Sequence, residues 1–330
     1  MKAAAPNCRS LPGRAGYRPE IDFIKAAAII AVILLHSLPA PILLVSLAPF
    51  HIWQAVPIFI MAAGFTGTLA TGRGFYSQSR FRRLFSRFLV PFLVVWMVEV
   101  MILIFAGKAA PGRVAGSLFT GGSGPGSYFI PLFFQHLLVF PFLLRLKRKV
   151  AENRQPLLLA ALFVFALLLD WGCRVLAVPQ DLYRLLYVRY LFAAVLGSWL
   201  AESDWQGKKL LAGALAGAFY IYLVSYRGSD FLLPYPAWGF QHAPAYLYTA
   251  GLFVLLWRVA EKLSFLDRLL LPLGRASYHI FLFQMVWFWK VAHHLTALPG
   301  GLWSAVPLNL MVCLAAGRLF FQWQNSSTGR

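Results

Sequence analysis

The chain has 330 residues, of which 60% are hydrophobic and only 12% are charged, and its mean hydropathy is +0.67. This composition excludes an ordinary soluble globular protein and indicates a polytopic membrane protein. The formal net charge of +19 would suit a nucleic-acid partner, but the basic residues are concentrated between apolar runs, so no nucleic-acid binding is expected.

Ten apolar runs are long enough to cross a hydrocarbon core, which takes about 20 helical residues. They are centred near residues 31, 60, 97, 136, 165, 193, 217, 251, 285 and 311. The sequence therefore predicts an all-α, polytopic transmembrane helix bundle of about ten spans, forming a single domain over residues 21–322. Residues 1–20 are predicted to be a flexible basic cytoplasmic lead-in and residues 323–330 a short C-terminal tail.

The distribution of Lys and Arg predicts the orientation of the bundle. Of the 30 basic residues, 23 fall in segments 1–25, 72–88, 145–156, 202–209, 258–276 and the C-terminal end, which alternate with poorer segments. By the positive-inside rule these segments are cytoplasmic, so both termini are predicted to be cytoplasmic and the number of spans even. The same segments are expected to attract the headgroups of anionic membrane lipids.

The first apolar run, "IDFIKAAAIIAVILLHSLP" (21–39), contains ionisable residues that are costly in lipid. Lys25 and His36 are eleven residues apart, close to three helical turns, so they share one face with Asp22 near the same stripe. A rise of about 16 Å separates them, which predicts Lys25 near the cytoplasmic headgroups and His36 near mid-membrane. His36 is a candidate general base. The alternative is an imidazole that forms only an interhelical hydrogen bond.

The segment "SRFRRLFSRFLVP" (79–91) precedes the third span and is rich in arginine. Arg80, Arg83 and Arg87 have helical spacing, so they are expected to form one guanidinium face at the cytoplasmic surface. Guanidinium groups match phosphate oxygens bidentately, which predicts an anion site. Simple anchoring of the span at the interface is the plain alternative.

A few further polar residues lie within predicted spans. Glu99 is a candidate for orienting His36 or binding substrate, and a structurally bonded carboxyl is the alternative. Candidate substrate contacts, each with an interhelical hydrogen bond as its alternative, are Gln135, Ser277, Tyr278 and Gln284. The histidines show no spacing typical of metal ligands, so no metal is expected.

Several of these segments together resemble the acyltransferase-3 family of integral membrane O-acyltransferases. The resemblance begins with a basic residue, ten residues and a histidine in Lys25 to His36, and covers about residues 20–290. It continues through "VPIFIMAAGF" (56–65), "RFRRLFSRFLVPF" with Arg80 and Arg83, "GPGSYFIPLFFQHLLVFP" (124–141) and "LGRASYHIFLFQMVWF" (273–288). The "GPGSYFIP" and "SYHIFLFQM" forms resemble the branch that modifies cell-surface sugars and polysaccharides. Many relatives have a histidine where this chain has Gln284.

The resemblance implies transfer of a short acyl group, usually acetyl, from cytoplasmic acyl-CoA to a hydroxyl of a cell-surface carbohydrate or its lipid-linked precursor. It also implies a multi-pass protein of the cell (inner) membrane, with the polysaccharide biosynthesis machinery as a partner. Lys25, Arg80, Arg83 and Arg87 would bind the phosphates of coenzyme A and His36 would deprotonate the acceptor, with Lys25 and Glu99 assisting. The expected substrate contacts are Asp22, Gln135, Ser277, Tyr278 and Gln284.

Two other functions remain open from the sequence. A transporter or flippase for a glycan-related or small anionic substrate would also use many spans and an intramembrane histidine. A structural subunit of a polysaccharide machine would need none of these residues individually. Acyl transfer by detergent-solubilised protein separates the first function from transport, because transport requires a sealed compartment.

Overall fold

The structure is a computed structural model that describes residues 17–71, 78–203, 207–230, 233–297 and 299–327. Within these ranges every regular element is helical, which confirms the predicted all-α class. The α-helices are α1 (Pro19–Ser37), α2 (Ala40–Val45), α3 (Ala48–His51), α4 (Ala55–Thr71), α5 (Gln78–Phe105), α6 (Pro111–Thr120), α7 (Phe129–Lys149), α8 (Gln155–Val175), α9 (Gln180–Tyr183), α10 (Leu191–Glu202), α11 (Lys208–Tyr226), α12 (Ala243–Lys262), α13 (Asp267–Lys290) and α14 (Leu302–Ser327). Short 3₁₀ helices cover Glu152–Arg154, Tyr187–Tyr190, Pro236–Gln241, Ser264–Leu266 and Ala292–Ala297.

Eight helical stretches in the described ranges are long and apolar enough to cross a membrane. They are Ala48–Ala70, Arg82–Phe105, Phe129–Lys149, Glu152–Val175, Lys208–Tyr226, Ala243–Lys262, Ser264–Lys290 and Leu302–Ser326. The predicted polytopic bundle is therefore confirmed, and each of the ten predicted centres lies on a helix.

The first and sixth predicted spans differ from the other eight. Helix α1 contains Glu20, Asp22 and Lys25 in its first two turns. Helix α10 has 12 residues, so it is about 18 Å long and shorter than a hydrocarbon core of about 30 Å. Asp22 lies on the buried face of α1, so its charge is held inside the protein.

Two helices extend beyond the bounds of the predicted domain. Helix α1 begins at Pro19, inside the predicted lead-in, and α14 continues to Ser327 through most of the predicted tail. Residues 1–16 and 328–330 lie outside the described ranges. The cytoplasmic location of the termini stays a prediction.

Helices α1 and α13 form the central pair of the bundle. A Cβ atom on Gly274 would lie 1.8 Å from the Asp22 carbonyl oxygen, so the two backbones touch at this point. Fourteen residues further along each helix, the ring centroids of His36 and Phe288 are 5.7 Å apart. Equal spacing on both helices means that α1 and α13 run parallel and in register.

A second close contact joins α4 to α10. A Cβ on Gly64 would lie 2.2 Å from the Ala194 carbonyl oxygen, and one on Gly197 would lie 2.2 Å from that of Met61. Small residues allow such backbone approach between membrane helices. The close packing of α4 against α10 holds α4 in place, and α4 forms one wall of the cavity described below.

Candidate functional site

A cavity of about 310 Å³ lies between α1, α4, α5, α7 and α13. Its cationic lining consists of Lys25, Arg87 and Arg275, which belong to the segments that the charge distribution predicts to be cytoplasmic. Half of the other lining residues are phenylalanine or tyrosine, namely Phe59, Phe88, Phe129, Phe133, Tyr278 and Phe281. We call this space the central cavity and its cationic end the mouth. A cationic mouth above an apolar chamber fits an elongated ligand with an anionic head.

Asp22 organises the mouth by bonding to three neighbours. Its Oδ1 lies 2.6 Å from Lys25 Nζ, and its Oδ2 lies 3.4 Å from Arg275 Nε. The Tyr17 hydroxyl donates to Asp22 Oδ2 at 2.8 Å and accepts from Arg275 at 2.7 Å. Burial raises the pKa of Tyr17, so the phenol stays protonated and can donate. Asp22 therefore holds Lys25 and Arg275 side by side, and its predicted contact with substrate stays a prediction.

The three predicted arginines are placed differently from one another. Arg87 lines the central cavity and Arg83 lies outside its lining, although both residues are exposed. The side chain of Arg80 lies outside what the structure describes. Lys25 is 28% exposed, so the mouth is accessible and still partly enclosed.

The inner end of the central cavity is closed by two phenylalanines. Phe129 and Phe281 pack edge to face with ring centroids 5.3 Å apart. His36 is not part of the cavity lining, so the cavity does not extend to the imidazole. A Cβ placed on Gly126 would lie 3.3 Å from the Phe281 ring and 3.7 Å from His36 Nε2, so at most 7.0 Å separates these two atoms.

His36 packs against a neighbouring helix and a loop of the protein. It is half-buried in the last turn of α1, against Phe288 and the backbone of Gly126. Within the described ranges no hydrogen bond to the ring is found, and the role of His36 stays a prediction. Because α1 ends at Ser37, His36 lies at the end of its helix, beside the loop predicted to face outward, and not at the middle of the helix.

Glu99 anchors that loop. The loop follows α6 and has positive φ at Gly121, Gly122 and Gly126 (87°, 113° and 82°), which glycine adopts without strain. Glu99 is 1% exposed, and its Oε2 accepts from the Ser123 backbone N–H at 2.7 Å. A Cβ on Gly122 would lie 2.9 Å from the same carboxylate oxygen. Glu99 thus bonds to the loop that carries Gly126, and its predicted catalytic role stays a prediction.

The family model described as an acyltransferase domain, Acyl_transf_3, matches residues 18–318, nearly the whole chain. The chain belongs to the acyltransferase-3 family. It is therefore a membrane acyltransferase, and the matched range contains the mouth, both phenylalanines and His36. The comparisons with curated proteins and with solved structures gave no match.

The remaining predicted residues of the acyltransferase fall into two groups. Ser277 and Tyr278 line the central cavity, and the Tyr278 hydroxyl donates to the Phe88 carbonyl at 2.9 Å. Gln135 and Gln284 lie outside this lining. The Gln135 amide bonds to Leu185 and Tyr187, at 2.9 Å and 3.2 Å.

Gln284 of the acyltransferase is unusual among its buried polar residues. It is 0% exposed, and neither amide atom has a hydrogen-bond partner among the described residues. Burying such an amide costs about 1–3 kcal/mol. Its role in substrate binding stays a prediction.

Three residues of the site were not predicted as such from the sequence. From the sequence, Arg275 belongs only to a basic segment, and Gly126 and Phe281 belong only to segments that carry the family resemblance. Arg275 could have been found from its position in "LGRASYHI", two residues before the predicted substrate contact Ser277. No local signal could have shown that Gly126 and Phe281 meet His36, because they come from three distant segments.

Proposed function

We propose that this acyltransferase transfers an acetyl group from cytoplasmic acetyl-CoA to a hydroxyl of a cell-surface carbohydrate or its lipid-linked precursor. One observation carries the proposal. A cavity with cations at its mouth ends at Phe281, whose ring lies within 7.0 Å of the His36 imidazole, and the described residues give that imidazole no hydrogen bond. The donor and the base therefore meet at one point.

The mouth would bind the phosphates of coenzyme A. Lys25, Arg87 and Arg275 supply charge-assisted hydrogen bonds to phosphate oxygens. Arg80 and Arg83, on the same helix as Arg87, would extend this surface towards the cytoplasm. The slim pantetheine arm then lies in the aromatic chamber, whose volume is in the range of small-molecule pockets.

The chemical step needs one base and no covalent enzyme intermediate. His36 removes the proton of the acceptor hydroxyl while its oxygen attacks the thioester carbonyl carbon. A C–O bond forms, the tetrahedral intermediate collapses, and the C–S bond breaks. The coenzyme A thiolate leaves and takes the proton from the imidazolium. The Phe281 ring must turn aside for the thioester to approach His36.

The acceptor would enter from the side opposite to the mouth. The loop fixed by Glu99 covers His36 on that side, so we assign the sugar to this loop and to the end of α1. Ser277 and Tyr278 are better placed for the donor arm, because they line the central cavity. A protein of the inner membrane that works with polysaccharide biosynthesis machinery fits this arrangement.

Replacing His36 by Ala tests the proposal. The purified, detergent-solubilised protein is incubated with [¹⁴C]acetyl-CoA and an envelope glycan extract, and label in the glycan is counted. We expect His36→Ala to lose about 10²- to 10⁴-fold of the rate, the usual contribution of a general base. The matched control is His294→Ala, an exposed histidine outside the site. An active, folded His36→Ala protein would refute the proposed base, and no transfer by the wild type would favour transport.

A further inference from the structure

The loop that follows α6 is anchored by one buried side chain near its start and by another at its end. Glu99 accepts from the backbone near the start of the loop at 2.7 Å. At its end, the Gln241 side-chain amide donates to the Tyr128 hydroxyl at 3.2 Å. Gly126, whose Cβ would lie 3.7 Å from His36 Nε2, comes between the two anchors. Glycine-rich backbone has many accessible conformations, so these anchors help to determine where the loop lies beside the imidazole.

Gln241 itself is held by three further hydrogen bonds. It is 3% exposed. Its side-chain oxygen accepts from the Tyr190 hydroxyl. Its backbone carbonyl accepts from the Tyr246 hydroxyl at 2.7 Å and from Arg189 at 3.2 Å. With its oxygen bonded to Tyr190, the amide presents an N–H to Tyr128.

Arg189 connects Gln241 to a buried ionic cluster. It is 2% exposed, and its guanidinium lies 3.6 Å above the Tyr183 ring. Arg189 Nε is 3.7 Å from Asp170 Oδ1 on α8, and the other oxygen of this carboxylate is 2.8 Å from His242 Nε2. A buried charge is costly unless it is paired, so the cluster has few alternative arrangements. It therefore holds Gln241 in one place.

We infer that Gln241 is a positioning residue for acyl transfer, which holds the loop that carries Gly126 beside His36 through the Tyr128 hydroxyl. The inference rests on the proposed function, because it takes His36 as the base and this loop as the acceptor side. Without the bond, the end of the loop would lose its side-chain anchor. Neither Gln241 nor Tyr128 lines the central cavity, so the donor site would keep its groups.

Steady-state kinetics of Tyr128→Phe, Gln241→Met and the double variant test the inference. Initial rates are measured in detergent against the concentrations of [¹⁴C]acetyl-CoA and of glycan extract in turn. We expect each single variant to lower kcat/KM for the glycan about three- to tenfold, the usual effect of one hydrogen bond, and to leave the KM for acetyl-CoA unchanged. The double variant should lose no more than Gln241→Met alone, because both changes remove the same bond.

Tyr235→Phe is the matched control. The Tyr235 hydroxyl donates to the Val178 carbonyl, and its ring packs on Tyr183 with centroids 5.4 Å apart. The variant therefore loses the same group beside the same cluster, without the bond to Gln241. Both kinetic constants should stay at their wild-type values. Thermal unfolding of each variant shows that it is folded, and if Gln241→Met does not fold, Tyr128→Phe and this control decide alone.

The outcomes separate this inference from the proposed function. An unchanged kcat/KM for the glycan in folded Tyr128→Phe, or an equal loss in Tyr235→Phe, overturns the role of Gln241. Additive losses in the double variant overturn it too, because the two residues would then act separately. A raised KM for acetyl-CoA also overturns it, since the loop would then serve the donor. A wild type that transfers no label means that the proposed function has failed.

Discussion

The buried glutamines of this protein differ in how their amides are bonded. Gln54 donates to the Pro49 carbonyl at 2.7 Å and accepts from the Thr249 hydroxyl at 2.6 Å, and it is 0% exposed. Gln284 is equally buried and has no such partner in the described ranges. A buried amide without partners destabilises the fold, whereas a bonded one stabilises it. The two residues therefore form a natural pair for comparison.

We expect Gln284→Met, which keeps the shape of the side chain and removes the amide, to leave the melting temperature unchanged or raise it. Gln54→Met should lower it by at least about 2 °C, because it leaves the Pro49 and Thr249 partners unbonded. Differential scanning fluorimetry of both purified variants measures this. Equal destabilisation would mean that the Gln284 amide is bonded in the folded protein. Loss of acetyl transfer in a stable Gln284→Met would support the predicted substrate contact.

At the scale of single residues, spacing along one helix predicts some neighbours and misses others. Lys25 and His36 were paired from their spacing alone, since local helix geometry fixes which side chains share a face. Arg275 could not be paired with Asp22 in this way, because 253 residues separate them. The close contact of Gly274 with Asp22 creates that pair.

At the scale of elements, the parallel packing of α1 on α13 aligns the site. The mouth at Asp22 and the imidazole at His36 each face their partner on α13 because the two helices stay in register over 14 residues. Gly274 makes this possible, since any side chain there would meet backbone that cannot move alone. If α13 slid along α1, the contacts at the mouth and the contacts at His36 would change together.

Gly274→Ala tests this packing. Its Cβ would lie 1.8 Å from the Asp22 carbonyl oxygen, so we expect a lower melting temperature and a large loss of acetyl transfer. Gly172→Ala in α8 is the control, because nothing lies within 4 Å of its Cβ. It should be neutral or stabilising by about 0.5–1 kcal/mol, the helix preference for Ala over Gly. Equal behaviour of the two variants in fluorimetry and transfer assays would contradict close packing at Gly274.

The bundle as a whole places the two ends of the site at opposite ends of α1. The mouth belongs to basic segments predicted to be cytoplasmic, and the loop over His36 belongs to a segment predicted to face outward. A donor with several phosphate charges does not cross a membrane by itself. The orientation of the bundle should therefore decide from which side the proposed donor, acetyl-CoA, is used.

Sealed inside-out vesicles should transfer label from externally added [¹⁴C]acetyl-CoA to their glycans, because their cytoplasmic face is exposed. Right-side-out vesicles should do so only after detergent permeabilisation, which serves as the control for protein content. Counting the ¹⁴C label in isolated glycan measures transfer by both vesicle preparations. Equal transfer by the two sealed preparations would contradict the predicted orientation.

The sequence by itself determined the helical membrane class, the family resemblance and the stripe from Lys25 to His36, because composition and helical period are local properties. It overestimated α10 as a full span, since an apolar run does not show where a helix ends. Only the tertiary structure decided that Asp22 joins Lys25 to Arg275, that Glu99 bonds to a loop, and that Phe281 and Gly126 meet His36. These contacts join segments far apart in the chain, and close packing between helices, which sequence spacing does not encode, brings them together.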